Sequence, residues 1–262
     1  MQKQSFRFLK ILFLLVITYV NMACSSPVIV AHDAVTETEK VLLSISSAIG
    51  GDDLVSAVAQ IDLVAAGGYY PARAALIIKK PSYLRLEIIP PLGPPDFFLA
   101  ATTQKMVIII PSKGELYRGE PTGRNMARFL PWKFGIEEIV AILAGTYPPL
   151  AGEVIYERHL EDGSNMRIEM KVRSGAAQTV IVGSEGRLNK LARYDENGRL
   201  LYTAEFADYD QEKPLAGKVT VSMADGTASI TVKYSNLQIE KARDLSVFDL
   251  PEPAGFRTIM MP

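Results

Sequence analysis

The sequence predicts a mainly β fold with some α-helix: a large antiparallel sheet that curls, interrupted midway by a helical insert. Three observations predict it. Candidate strands separated by turn residues fill both halves of the chain, the clearest of them alternate apolar and polar residues, and between the halves lie two short patterns of helical period. The chain has 262 residues, a formal net charge of −1 and one cysteine. That length suffices for one large domain with a sizeable core and demands no second. The charge balance lacks the basic footprint of a nucleic-acid binder. A lone cysteine leaves no internal disulfide and no thiolate metal cluster, so stability must come from burial.

In order along the chain, Lys3, Arg7 and Lys10 precede the apolar run Ile11 to Ile17, which is too short to span a bilayer. It reads as the apolar part of a secretion signal. Asn21-Met22-Ala23-Cys24-Ser25-Ser26 then places a small residue directly before the cysteine. This resembles the lipobox of bacterial lipoproteins, with Asn21 standing where leucine is usual. The resemblance implies cleavage before Cys24, acylation of its sulfur and new amine, and, with Ser25 rather than aspartate next, sorting to the outer membrane with the protein facing the periplasm. Acyl carbons buried in lipid are worth ~0.8 kcal/mol per CH₂, so several chains hold a protein where one binds marginally. Residues 1–23 are thus expected to be a signal peptide, 24–35 a tether and 36–262 a single domain.

A helix is expected from Thr36, where Glu39 three residues on completes a capping-box pattern. Val41, Leu42, Ile45, Ala48 and Ile49 form its apolar face, and Gly50-Gly51 ends it. Strands are expected near 53–66, 69–79, 82–89, 95–102, 105–111 and 114–119, with turns at Gly67-Gly68, Pro81, Pro90 to Pro95 and Ser112-Lys113-Gly114. In the second half Met166, Ile168, Met170 and Val172 interleave with charged residues, as Ala228, Ile230, Val232 and Tyr234 do with polar ones. One face is wet and one dry. Turns at Asp162-Gly163, Gly183, Glu196-Asn197-Gly198 and Asp225-Gly226 space these strands as a meander that suits a curling sheet.

The insert comprises a first helical piece near 122–130, stopped by Pro131, and a second near 135–144, where Ile136, Ile139, Val140 and Leu143 form a stripe opposite Glu137 and Glu138. These helices either plug the sheet as core or form a lid over it. The run Phe97 to Ala101, followed closely by Met106 to Ile110, is apolar on both faces and needs cover on both. It is either fully buried core or the wall of an apolar cavity. On the second reading Phe97, Phe98, Leu99, Val107, Ile109, Ile139 and Leu143 are the candidate lining residues. Trp132 and Phe134 are candidates for a membrane interface or, as aromatics between helices, for packing under the sheet.

Catalytic patterns are not evident. His32 falls in the expected tether and His159 reads as a solvent-facing strand residue, neither with metal-site spacing. Gly183-Ser184-Glu185-Gly186 lacks a nucleophile elbow, and no glycine-rich phosphate loop precedes a helix. No enzyme activity, catalytic residue, metal or cofactor is expected beyond the covalent lipid on Cys24.

Arg85-Leu86-Glu87-Ile88-Ile89-Pro90-Pro91-Leu92-Gly93 followed by Pro94-Pro95-Asp96-Phe97-Phe98-Leu99 resembles the strand, Pro-Leu-Gly loop and strand of the LolA/LolB family of lipoprotein-handling proteins, nearest to the outer-membrane lipoprotein receptor LolB. Phe129-Leu130-Pro131 and Ile136 to Leu143 with Gly145 and Pro148 resemble its helical region, while Phe248-Asp249-Leu250-Pro251 with Gly255 is nearer the LolA-type carriers. Element order matches over 36–256, residues closely only near 83–99 and 129–148. The resemblance implies an unclosed β-barrel with a helical lid, whose apolar interior takes the acyl chains of lipoproteins from a periplasmic LolA-like carrier. It also implies a membrane-insertion loop at Pro91, Leu92 and Gly93, with Leu92 at its tip, although a loop leucine can equally fold back on the barrel rim. Three functions follow from different classes: lipoprotein receptor and insertase, anchored lipid or glycolipid transport module, and envelope assembly scaffold with a filled barrel. A monomer is expected.

Overall fold

The computed structural model describes residues 32–160 and 165–262. The expected signal peptide, Cys24, most of the tether and the Asp162-Gly163 turn lie outside them. The chain divides into two units, Met1–Thr36 and Glu37–Pro262. The second holds a 14-stranded sheet and its core.

The sheet is built from β1 (Asp53–Ala65), β2 (Gly68–Lys79), β3 (Tyr83–Ile89), β4 (Phe97–Ala101), β5 (Met106–Ile110), β6 (Glu115–Gly119), β7 (Val154–Leu160), β8 (Met166–Val172), β9 (Ala177–Val182), β10 (Leu188–Tyr194), β11 (Leu200–Tyr209), β12 (Ala216–Met223), β13 (Ala228–Lys241) and β14 (Arg257–Met260). Its spatial order is β14-β6-β5-β4-β3-β2-β1-β13-β12-β11-β10-β9-β8-β7. Two meanders, β1 to β6 and β7 to β13, are joined along β1 and β13, where Ile61 faces Val232 and Ala59 faces Tyr234. Every pairing is antiparallel except β14 with β6. The strands at the two ends, β14 and β7, do not pair with each other, so the curled sheet stays open.

Side-chain alternation gives the sheet two faces, and the register aligns one of them from strand to strand. Leu99 lies opposite Leu86, Leu86 opposite Leu76, and Val219 opposite Val232. This dry face carries the main core. Against it pack helix α1 (His32–Ser47), through Leu42 and Ile45, and the insert between β6 and β7. The insert contains a single turn, α2 (Gly123–Met126), and α3 (Ile136–Leu143). Thr122 caps α2, its hydroxyl accepting from the Asn125 amide at 3.3 Å.

Two boundaries differ from the sequence expectation. The first helix begins at His32, four residues before the capping-box threonine, so 32–35 are helix rather than tether. The first insert helix stops at Met126 instead of running toward Pro131, because Phe129 and Leu130 turn inward onto the core. Apolar anchoring there outweighs helix propagation, which is weak for so short a segment.

Candidate functional site

The dry face of the sheet and the insert do not meet everywhere. Between them lies an apolar cavity of about 90 Å³. Its floor comes from β1 to β4 (Ile61, Leu76, Leu86, Leu99) and from β12 and β13 (Val219, Val221, Ile230, Val232). Its roof comes from the insert, with Leu130, Trp132 and Phe134 from the segment before α3 and Ile139, Ile142 and Leu143 from α3 itself. Among the described residues no charged side chain lines it. An apolar cavity of about 150 Å³ takes a benzene-sized guest, so this one holds a few carbons at rest. A long chain, which needs a pocket of roughly 300–1,000 Å³, enters only if the roof rises.

The roof is held unevenly. At the N-terminal end of α3 the Tyr202 hydroxyl donates to Glu138 Oε1 at 2.6 Å, and at the C-terminal end the Tyr234 hydroxyl donates to the Leu143 carbonyl at 3.0 Å. Burial pushes both phenols well above the ordinary tyrosine value, and the Glu138 carboxylate raises Tyr202 further. Both stay neutral donors at any physiological pH. The segment 127–135 has no helix or strand of its own, and rests on aromatic rings: Trp132 stacks on Phe134 at 5.4 Å, and Phe134 lies tilted against Tyr202 at 4.5 Å. Trp132 is 8 % exposed, and its indole N–H is buried without a hydrogen-bond partner. Leaving such a donor unpaired costs about 1–3 kcal/mol.

Helix α1 braces the other flank. Lys80 Nζ donates to the Ser46 carbonyl at the C-terminal end of α1, where a cation is favoured. Desolvation lowers this lysine's pKa, with nearby Asp53 opposing the shift. The Tyr147 hydroxyl donates to the Leu42 carbonyl at 3.3 Å, and Glu37 pairs with Arg158 of β7 at 2.8 Å.

Compared with known proteins, the chain matches no family model and no curated protein sequence. Solved structures do match. A DUF1329 family protein from Desulfovibrio piger superposes with a TM-score of 0.60 at 14 % identity, covering 82 % of this chain and 97 % of its own. A LolA superfamily protein from Nitrosomonas europaea gives 0.56 at 16 %, covering 81 % and 97 %. A domain described as an outer membrane lipoprotein-sorting protein from Vibrio parahaemolyticus gives 0.56 at 17 %, covering 80 % and 95 %. This chain shares the LolA-like fold.

Of the residues singled out in the sequence, Phe97, Leu99, Ile139 and Leu143 come together around the cavity. Phe98, Val107 and Ile109 do not line it, which corrects that assignment. Phe98 pairs with Ile109 and Ala100 with Val107, which puts all three on the opposite face of β4 and β5. There they form a separate cluster with Leu116, covered by Leu250 and Phe256 of the C-terminal segment. That segment is strapped down by Arg85 donating to the Val247 carbonyl at 2.7 Å, by Lys105 with Asp249 at 2.6 Å, and by Tyr83 against Phe248 at 5.2 Å. The strands apolar on both faces thus have two covers, the insert on one side and this strap on the other.

Pro91, Leu92 and Gly93 lie in the β3–β4 loop, where Leu92 is 91 % exposed. Gly93 takes φ +90, which favours glycine, and Asp96 anchors the end of the loop by accepting from the Ser112 amide at 2.6 Å. Trp132 and Phe134 are buried roof residues rather than surface aromatics, and His159 is exposed on β7. Sequence reasoning did not assign Leu130, Trp132 or the β12–β13 wall to the cavity. The alternation of Ala228, Ile230, Val232 and Tyr234 signalled a dry face, but not what that face would meet.

Proposed function

We propose that the chain is an outer-membrane-anchored lipoprotein, facing the periplasm, that takes an acyl chain under its insert and passes lipid or lipoprotein to the membrane without chemistry. The observation that carries this reading is the cavity between the dry face and the insert, lined by apolar side chains. Acyl chains are the envelope ligands with no polar group to satisfy along their length, and such a wall asks for none. The uneven hold on the roof supplies a route: segment 127–135 lifts while two tyrosine hydroxyls keep α3 in place. The delivery step is assigned to the end of the sheet that carries the β1–β2, β3–β4 and β10–β11 turns. Leu92, Val64, Tyr69, Tyr70, Leu200 and Leu201 are exposed there, the mixture of aliphatic and tyrosine side chains that settles at a bilayer interface. Within the LolA-like fold this corresponds to the receptor role of LolB, with a periplasmic LolA-like carrier as donor.

The test is mass spectrometry of lipids that copurify with the full-length chain carrying Cys24→Ser, which has no anchor of its own to be counted. Acyl-bearing species near one per protein are expected. A protein that is empty from several lipid backgrounds, and that takes up no chain when titrated with phospholipid or lipopeptide, removes the reading. A second reading, a scaffold with a filled barrel, rests on the small resting cavity and gains from that same outcome.

A further inference from the structure

We propose, building on that lipid-binding reading, that the ligand is gripped at a neutral carbonyl oxygen by the Trp132 indole N–H, so that the site selects acylated esters or amides over plain hydrocarbon and over free fatty acid. Trp132 lines the cavity, every other side chain of the lining is hydrocarbon, and the buried indole N–H has no hydrogen-bond partner. Buried donors in folded proteins are nearly always paired, and an exception in a binding cavity fits a partner that arrives with the ligand. The ring stacks on Phe134, which lies tilted against Tyr202, so these contacts return the donor to its place when segment 127–135 closes over the ligand. What accepts from it must be a carbonyl, because the rest of an acyl chain has no acceptor. A free carboxylate is disfavoured: among the described residues no cation lines the cavity, and a buried unpaired charge is more costly than a buried ester.

Trp132 is the sole tryptophan, so one indole N–H resonance and one emission band report on it directly. The full-length Cys24→Ser chain is titrated with methyl palmitate, palmitate and hexadecane. Methyl palmitate is expected to bind, to move the indole N–H resonance downfield and to red-shift the emission. Hexadecane and palmitate are expected to bind about tenfold or more weakly, the worth of one hydrogen bond to a buried donor. Trp132→Phe, which keeps a ring and removes the donor, is expected to erase the preference for ester over hydrocarbon. Equal binding of ester and hexadecane with an unmoved indole resonance in the unmutated ring would overturn the carbonyl grip and leave the lipid-binding reading standing. Tighter binding of palmitate than of its ester would overturn the neutral-acceptor assignment. Failure of all three probes to bind would remove both.

Discussion

At the scale of single residues the sharpest case is Leu92, which stands 91 % exposed between Pro91 and Gly93. A side chain so far from the core should tolerate change within ~0.5 kcal/mol of stability. Entering lipid, a leucine gains ~1.5–3 kcal/mol, whereas a glutamate must keep its water. Leu92→Glu is therefore expected to leave the melting temperature and bound acyl stoichiometry unchanged while stopping cargo transfer to liposomes. Unaltered transfer would take the loop out of the delivery step. The exposure of the loop was foreshadowed by its proline density, whereas the cavity lining was legible only in part. Two-residue periodicity separates Phe97 and Leu99 from Phe98, but in a run of consecutive apolar residues it does not say which set faces the insert. That choice is made by pairing with Leu86 and Ile88, which are already on the dry face. The unpaired donor of Trp132 was beyond sequence altogether, since an unmet hydrogen bond is a property of surroundings.

At the scale of elements, α3 carries the roof and two phenols carry α3. The positions of β1 to β6 were readable to within a residue or two from turn residues and apolar runs, whereas in the second half only the turns and the alternation of β8 and the start of β13 stood out. Three features were not readable: the start of α1 at His32, the shortness of α2, and β14. The last is four residues long, pairs in parallel with β6, and shows no alternation that would mark it. The phenols predict a pH dependence with a definite sign. Their folded-state pKa values lie above the unfolded value of 10.0, so the stability they contribute is complete below pH 10 and is lost as pH rises beyond it, where the unfolded chain releases protons that the folded one retains. Tyr209, half-buried and pushed up to about 12 by desolvation with its hydroxyl on the Leu188 carbonyl, adds to the same loss. Urea unfolding at pH 7 and pH 11 should show wild type weakening in alkali. Tyr202→Phe with Tyr234→Phe should cost about 1–3 kcal/mol at pH 7, with a smaller drop in alkali and faster uptake of acyl ligand. An alkaline drop as large as in wild type would mean that these hydroxyls do not hold the helix.

At the scale of the whole molecule, the sheet runs almost in chain order within each meander, which is why local patterns sufficed to predict a large curling antiparallel sheet. The seam between β1 and β13 joins residues far apart in sequence, and it decides that the two meanders make one continuous face rather than two sheets. No local pattern encodes such a pairing. The unit Glu37–Pro262 has its own core, and no described helix is long and apolar enough to cross a membrane. In the proposed scheme, attachment to the envelope comes from the lipobox-like stretch ending at Cys24. If the anchor is acyl chains on Cys24, then Cys24→Ser should remove it without touching the sheet, because a serine cannot be thioether-linked and residue 24 lies outside the unit Glu37–Pro262. Wild type is expected to take up labelled palmitate and to fractionate with outer membrane. The variant should take up none and should appear in the periplasmic fraction with an unchanged melting temperature and circular dichroism spectrum. Absence of label in wild type would sink the anchor. A variant that stays with the membrane would instead move the attachment to the exposed apolar end around Leu92 and Tyr70, and the double variant Cys24→Ser with Leu92→Glu separates the two sources.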